Sequence, residues 1–189
     1  MVNDLVFREL HAELAPSREA FDLVWTHCRI VCRIAEQLLA GQPRLDADLV
    51  RAGALLHDVG VYRLMADEHY IRHGLLGYQA LRERGYPERL SRFCNHHTGV
   101  GLTADDVARQ HLPLPPGDYL AETGEEELVM YADKFHSKST PPRFVTAASY
   151  GIAVSRFGDD KAAIFTGMVD RFGEPDLESL AAEFQHPIR

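Results

Sequence analysis

Apolar positions along the chain recur every three to four residues, which is the period of amphipathic helices. The clearest case lies between residues 17 and 40. Its apolar positions are Phe21, Val24, Cys28, Val31, Ala35 and Leu38. Pro16 and Ser17 form a start signal before this run, and residues 41–43 form a stop signal after it. Because few segments alternate with period two, we predict an all-α fold in which a sheet is not expected.

Capping residues and breakers delimit further helices in the remaining sequence. Asp46 and Thr103 are predicted N-caps, and Thr123 with Glu126 forms a predicted capping box. The predicted helices are 46–58, 71–84, 87–97, 103–111, a helix from 123 that carries Asp133 and ends near Ser137, 158–172 and 176–185. The proline-rich residues 112–123 are predicted to form a loop long enough to lie over a site as a lid.

The composition of the chain limits the classes of function that it can have. A chain of 189 residues with 46% hydrophobic and 25% charged residues is typical of one globular domain, here 1–189. The net charge of −8 disfavours a nucleic-acid polymer as partner. No apolar run approaches the roughly 20 residues that span a membrane, and the N-terminus does not resemble a signal peptide. Three cysteines without framework spacing favour a reducing compartment, so we expect a cytoplasmic protein.

The candidate chemistry centres on His57-Asp58, a polar pair that ends an apolar helix. Imidazole and carboxylate together bind divalent metals. Further candidate ligands flank the pair in helical segments. They are His27, His73, His96, His97 and Asp133. A buried histidine or aspartate needs a polar partner, and a metal provides one. The remaining histidines, at 11, 69, 111, 136 and 186, are expected on the surface or in loops.

The order His…His-Asp…His…His…Asp, with the stretches HGLLGYQALRERG, NHHTG and MYADK, resembles the HD-domain superfamily of metal-dependent phosphohydrolases. Within it, the chain resembles bacterial hydrolases that split diadenosine tetraphosphate symmetrically, and related small HD proteins. The resemblance covers roughly residues 20 to 140. It implies an HD-domain helical bundle with its core there and a helical extension over 141–189.

The resemblance also implies one or two divalent metal ions, drawn from Fe, Mn, Co, Ni, Zn or Mg. In that interpretation the first metal is bound by His27, His57, Asp58 and Asp133. The second is bound by Asp58, His73 and His96. The status of His97 stays open, because the diadenosine hydrolases carry threonine at its place, whereas some other HD proteins use both histidines.

Catalysis and substrate binding follow from the same resemblance. A metal-bound hydroxide would attack phosphorus, with Asp58 bridging the metals and Lys134 or Arg63 assisting electrostatically. Lys138 and Arg143 are further phosphate-binding candidates. The family often carries lysine three residues after His-Asp, where this chain has Val61, and Arg63 is the candidate replacement.

The resemblance implies a small phosphorylated substrate, a nucleotide or dinucleoside polyphosphate. It is also compatible with a homodimer of this chain. The 112–123 loop and residues 139–157 are expected to shape the pocket. Two alternatives remain open at this point. One is a di-iron oxygenase with the same ligands, and the other is a nucleotide-binding sensor without turnover.

Overall fold

The prediction of an all-α fold is confirmed by a computed structural model, which describes residues 4–189. In this part of the chain there are ten α-helices. They are α1 (Asp4–Leu14), α2 (Arg18–Leu39), α3 (Ala47–Leu56), α4 (His73–Glu83), α5 (Glu88–Asn95), α6 (Ala104–Arg109), α7 (Gly124–Asp133), α8 (Ala147–Val154), α9 (Asp159–Phe172) and α10 (Leu177–Phe184). Short 3₁₀ turns occupy Val59–Arg63, Tyr70–Arg72 and Ser155–Phe157.

Most helix starts follow the predicted capping chemistry. The Ser17 hydroxyl accepts from Ala20 N–H before α2, and the Asp46 carboxylate accepts from Leu49 N–H before α3. Thr103 and Asp106 form a reciprocal capping box at α6. Helices α1 and α8 were not among the predicted elements.

Two predictions for α7 require correction. The helix ends at Asp133 rather than near Ser137, because the chain turns into a two-residue strand, β1 (His136–Ser137). This strand pairs antiparallel with β2 (Arg143–Phe144), in the register His136 to Phe144. The expectation of no sheet therefore fails locally. Only half of the predicted box forms, since Thr123 accepts from Glu126 N–H while the Glu126 carboxylate accepts from Glu122 N–H.

The core lies where α2 packs against α3 and α7, and where α3 packs against α5. Ile30, Leu55, Leu128 and Tyr131 are fully or almost fully buried there. Because these four helices converge, residues on their inner faces or ends come within reach of one another. None of the helices in residues 4–189 is long and apolar enough to cross a membrane.

Gly60 sets the position of the turn that follows the His-Asp pair. A Cβ atom at this position would lie 1.9 Å from the carbonyl oxygen of His73 and 2.3 Å from the amide nitrogen of Gly77. Only glycine allows the turn to approach α4 so closely. The contact brings Asp58, two residues earlier, next to the start of α4.

Candidate metal centre

Six of the seven predicted ligands meet at one buried cluster, which we call the ligand cluster. They are His27 inside α2, His57 and Asp58 at the end of α3, His73 at the start of α4, His97 after α5, and Asp133 at the end of α7. All are buried except Asp133, whose side chain is 16% exposed. The cluster draws on five helices, which explains why its members are spread over more than 100 residues of sequence.

One half of the cluster surrounds a single oxygen of Asp58. Its Oδ2 lies 3.2 Å from His27 Nε2 and 3.6 Å from His57 Nε2. Asp133 Oδ1 lies 3.0 Å from His27 Nε2 and 3.5 Å from His57 Nε2. Two imidazole nitrogens and two carboxylate oxygens thus converge with the donor set that Zn²⁺, Fe²⁺ and Mn²⁺ accept.

The other half surrounds the second oxygen of the same carboxylate. His73 Nε2 and His97 Nε2 lie 2.9 Å apart, and they are 3.4 and 3.7 Å from Asp58 Oδ1. This oxygen is buried and has no hydrogen-bond partner among residues 4–189. A buried carboxylate oxygen without a partner is costly, and a cation is its natural partner. The residues present therefore fit two metal ions that share Asp58.

Three of the four imidazoles are oriented by backbone carbonyls. A carbonyl only accepts, so each Nδ1 donates its N–H and leaves the Nε2 lone pair directed at the cluster. The pairs are His57 with Ala54 O at 2.8 Å, His73 with Tyr70 O at 2.7 Å, and His97 with Phe93 O at 3.0 Å. Metal-binding histidines characteristically have such a partner on the other ring nitrogen.

The electrostatics favour the protonation states that a metal requires. Burial, reinforced by Lys138, lowers the pKa of His27 to about 4. Burial, with His57 and His73 nearby, lowers the pKa of His97 well below its usual value. Burial alone would raise the pKa of Asp58, but Lys138 and the surrounding imidazoles outweigh it and keep that pKa low.

His57 is the exception among the imidazoles. Burial lowers its pKa, but Cys28 and Asp58 raise it more, so that the pKa lies well above its usual value. A metal bound at His57 would therefore displace a proton.

Two lysines contact the carboxylates of the cluster. Lys134 Nζ donates to Asp133 Oδ2 at 2.7 Å and to the carbonyl oxygen of His97 at 2.9 Å. Lys138 Nζ forms an ion pair with Asp58 Oδ2 and lies 5.8 Å from the centre of the Tyr70 ring. Both ammonium groups are thus at the cluster, as the phosphate-binding hypothesis for Lys134 and Lys138 requires.

His96 is not brought to the cluster. It ends α5, and its Nδ1 donates to the buried carboxylate of Glu126 at 3.0 Å. Glu126 also accepts from Arg92 Nε at 2.8 Å. This ion network orients His96 toward Glu126 of α7, so the structure places His97, and not His96, beside His73 in the ligand cluster.

Arg63 is also remote from the ligand cluster. Its guanidinium donates to Glu83 at 2.6 Å, on the outer side of α4. The Arg63 guanidinium thus forms an ion pair with an exposed glutamate, and its role in phosphate binding or catalysis stays a prediction.

Two histidines that were expected on the surface or in loops, His11 and His136, are buried, and a third, His186, is half-buried. His11 is fully buried; its Nε2 donates to Leu55 O at 2.7 Å, and its Nδ1 accepts from the Tyr62 hydroxyl at 2.8 Å. Since a carbonyl only accepts, its Nε2 carries the proton. His136 is 5% exposed and contacts His27, and half-buried His186 contacts His136. The helical period of the surrounding sequence gave no signal for the last two, because they lie in a strand and in an irregular segment.

Two clefts adjoin the ligand cluster. The basic cleft, about 590 Å³, is lined by Lys134, Lys138, Arg143, Ser139 and Tyr150, among others. This supports the expectation that residues 139–157 shape the pocket.

The apolar cleft, about 390 Å³, lies on the other side of Tyr150. Its apolar lining includes Leu102, Leu112, Val154 and Phe157. It shares His69, Ile71, Thr98 and Gly99 with the opening above the ligand cluster. Within the 112–123 loop, Leu112 lines this cleft, and backbone hydrogen bonds between Tyr119 and Leu102 tie the loop down beside it rather than over the cluster.

The three cysteines are buried free thiols, and neither group of potential metal ligands found in residues 4–189 includes one. Cys28 and Cys32, four residues apart on α2, thus lie outside both of these groups.

Comparison with known proteins gives matches of three kinds. The HD domain family model matches residues 24–138. An uncharacterized protein of Methanocaldococcus jannaschii is 41% identical over 111 residues, which cover 57% of this chain and 62% of that protein. The tRNA (cytidine(56)-2'-O)-methyltransferase of Picrophilus torridus is 36% identical over 121 residues, covering 64% of this chain but 33% of the methyltransferase. The chain thus spans less than two thirds of the first relative and a third of the second.

Among solved structures, the HD domain of the L. monocytogenes phosphodiesterase PgpH matches with a TM-score of 0.52 and 14% identity. The match covers 94% of this chain and 98% of that domain. The same domain in complex with cyclic-di-AMP gives a TM-score of 0.51 at 16% identity, covering 94% and 97%. At these identities the likeness shows a shared helical fold.

Proposed function

Because this chain belongs to the HD-domain family, we propose that it is a metal-dependent phosphohydrolase that acts on a nucleotide. The observation that carries the proposal is the Asp58 carboxylate. Its two oxygens face two separate groups of imidazoles, and one of these oxygens is buried without a hydrogen-bond partner in the described part of the chain. This is the arrangement expected of a carboxylate that bridges two metal ions.

The proposed ligands divide into two sets. His27, His57, Asp58 and Asp133 bind one ion. Asp58, His73 and His97 bind the other. Nitrogen and oxygen donors without thiolate suit iron, manganese, cobalt, nickel or zinc.

The bound ions would supply an acidified water as nucleophile and positive charge for the phosphoryl oxygens. The protein's own residues would orient the substrate. Lys134 and Lys138 are at the cluster, and Arg143 is beside them in the basic cleft. Their positive charges complement a phosphoryl group and the negative charge that grows on it during hydrolysis.

The apolar cleft supports a nucleotide over a simple phosphate. It opens next to the ligand cluster, and its walls include the aromatic rings of Tyr150 and Phe157. Gln110 and Thr98 provide polar atoms on the same lining. Flat walls with a few polar groups suit a nucleobase. PgpH, whose HD domain shares the fold, has been crystallised with cyclic-di-AMP, and a nucleotide here would agree with that ligand class.

Metal analysis combined with a hydrolysis screen tests the proposal. We expect two metal ions per chain and release of phosphate or of a nucleotide from mononucleotides, cyclic dinucleotides or dinucleoside polyphosphates. Asp58→Asn should lose both metals and turnover, whereas Asp105→Asn, at an exposed site on α6, should keep both. Turnover by a metal-free Asp58→Asn protein would refute the proposal. Oxygen uptake by the iron-loaded protein would indicate an oxygenase, and nucleotide binding without any product would indicate a sensor.

A further inference from the structure

The imidazole of His27 differs from the other three in the cluster through the partner of its second nitrogen. Its Nδ1 lies 2.9 Å from Nδ1 of His136, where the others have a backbone carbonyl. The opposite nitrogen of His136, Nε2, lies 3.0 Å from Nδ1 of His186. Three imidazoles therefore form a continuous hydrogen-bonded chain from the cluster toward the surface.

The backbone fixes both outer rings of this chain. His136 belongs to β1, opposite Phe144, and its ring packs edge-on against the Phe144 ring at 5.1 Å. The segment that carries His186 lies along β2, where Phe144 N–H donates to Pro187 O at 2.8 Å and Arg189 N–H donates to Phe144 O at 3.0 Å. The small sheet thus sets the distance between His136 and His186.

The positions of the protons follow from the role of His27. To bind a metal through Nε2, His27 must carry its proton on Nδ1. That N–H donates to Nδ1 of His136, so His136 must carry its own proton on Nε2. The Nε2–H of His136 then donates to Nδ1 of His186, which leaves the His186 proton on Nε2. Each of the three rings is neutral and has one defined tautomer.

We infer that His136 and His186 are positioning residues that fix the tautomer and ring orientation of His27 for metal binding. The inference rests on the metal centre of the proposed function, but not on hydrolysis, and it requires no change of protonation. Such outer partners of a ligating histidine are typically worth 10- to 100-fold in metal affinity. Because His136 belongs to β1, the two-stranded sheet has a function in the site.

Metal titration of four variants tests the inference. His136→Phe retains the ring and its packing on Phe144 but removes both hydrogen bonds, and it should weaken the ion at His27 about 10- to 100-fold. His136→Asn keeps an acceptor near the Nδ1 position and should recover most of the metal affinity that His136→Phe loses. His186→Ala should have a smaller effect, because it removes only the outer bond. Gln185→Ala, next to His186 in sequence, is the control and should bind metal like the wild type.

The readout is the dissociation constant of each Zn²⁺ ion, measured by competition with a chelator, with thermal melting to verify folding. The ion at His73 and His97 should keep its affinity in every variant. In the zinc-loaded wild type, long-range ¹H–¹⁵N NMR should show the proton of His136 on Nε2. An unchanged affinity in folded His136→Phe, or a His136 proton on Nδ1, would overturn the inference. If the wild type binds two ions but hydrolyses nothing, the proposed function fails and the positioning role stands.

Discussion

Replacing either His96 or His97 by alanine tests the ligand assignment most directly. We expect His97→Ala to lose the ion that His73 and Asp58 Oδ1 share, and His96→Ala to keep it. The reason is geometric, because His97 Nε2 faces His73 Nε2 at 2.9 Å, whereas His96 Nδ1 donates to Glu126 at 3.0 Å.

The two variants should differ in both magnitude and kind. His97 is one of three proposed protein ligands of its ion, so its loss should exceed the 10- to 100-fold effect of removing an outer partner. A loss of more than about 100-fold corresponds to roughly 2.8 kcal/mol of binding free energy. His96→Ala instead removes a hydrogen bond from a buried carboxylate, which should cost about 1–3 kcal/mol of unfolding free energy. For a chain of this size that is a fall of several degrees in melting temperature, at about 2–4 °C per kcal/mol.

The assay measures metals per chain by elemental analysis, metal affinity by chelator competition, and melting temperature in the presence of a chelator. His97→Ala should retain about one ion per chain. His96→Ala should retain two and melt earlier in the metal-free state. Loss of an ion from His96→Ala, with both ions kept by His97→Ala, would refute the ligand assignment.

Four further outcomes are expected. Asp106→Asn leaves the buried Lys161 ammonium with the exposed carboxylate of Asp160, at 3.9 Å, as its remaining ion-pair partner within residues 4–189 and should cost about 3–5 kcal/mol in urea unfolding at pH 7, unlike Asp105→Asn. Lys161 and the Thr103 hydrogen bonds outweigh burial and lower the pKa of Asp106. The destabilisation by Asp106→Asn should therefore be complete above about pH 4 and decrease on further acidification. A destabilisation that increases in acid would contradict the role of Asp106. Lys138→Met should lower kcat about 100-fold in a phosphate-release assay while metal binding is retained or tightened, and loss of metal would count against the role. A metal at 100 times its dissociation constant should raise the unfolding free energy by about 2.7 kcal/mol, reversibly with a chelator. Metal affinity should rise with pH as His57 loses its proton, which calorimetry in buffers of different ionisation enthalpy would detect.

The helices were predictable because their signals are local. Ser17, Asp46 and Thr103 accept hydrogen bonds from the first turns of their helices, as their positions before apolar runs predict. The ordered ligands could be recognised for the same reason, since each occurs in or beside an apolar helical segment. What a buried polar residue on such a face contacts depends on other parts of the chain.

The two-stranded sheet and its histidines could not be predicted from local sequence signals. His136 lies 109 residues from His27 in sequence, and His186 lies 50 residues beyond His136. Two-residue strands contain too few positions for an alternating pattern to be visible. Their pairing is fixed by tertiary contacts, so the imidazole chain could not be predicted from spacing.

Adjacent histidines pose a related problem at the end of α5. His96 and His97 follow the last residue of α5, where the helical period no longer determines which side chain faces the cluster. The deciding contact is Glu126, which binds His96 from α7. In the sequence, Glu126 already had an explanation as part of a capping box. Because Glu126 was already explained as a capping residue, its contact with His96 was not predicted, and the sequence did not distinguish the places of His96 and His97.

The positions of the lysines determine the net charge of the ligand cluster and hence the kind of substrate that it favours. The chain has only three lysines, and each forms an ion pair with an aspartate: Lys134 with Asp133, Lys138 with Asp58, and Lys161 with Asp106. At the cluster, the charges of two carboxylates and two ammonium groups cancel, while burial lowers the pKa values of His27, His73 and His97.

Two divalent ions would consequently make the centre strongly positive within a protein of net charge −8. A cationic centre in an acidic protein attracts small anions by its local field but offers no extended basic surface to a nucleic-acid polymer. This balance favours a phosphorylated small molecule, and it makes anion binding dependent on the bound metals. Phosphate affinity should therefore fall sharply when the ions are removed, even though all three cationic side chains of the basic cleft remain.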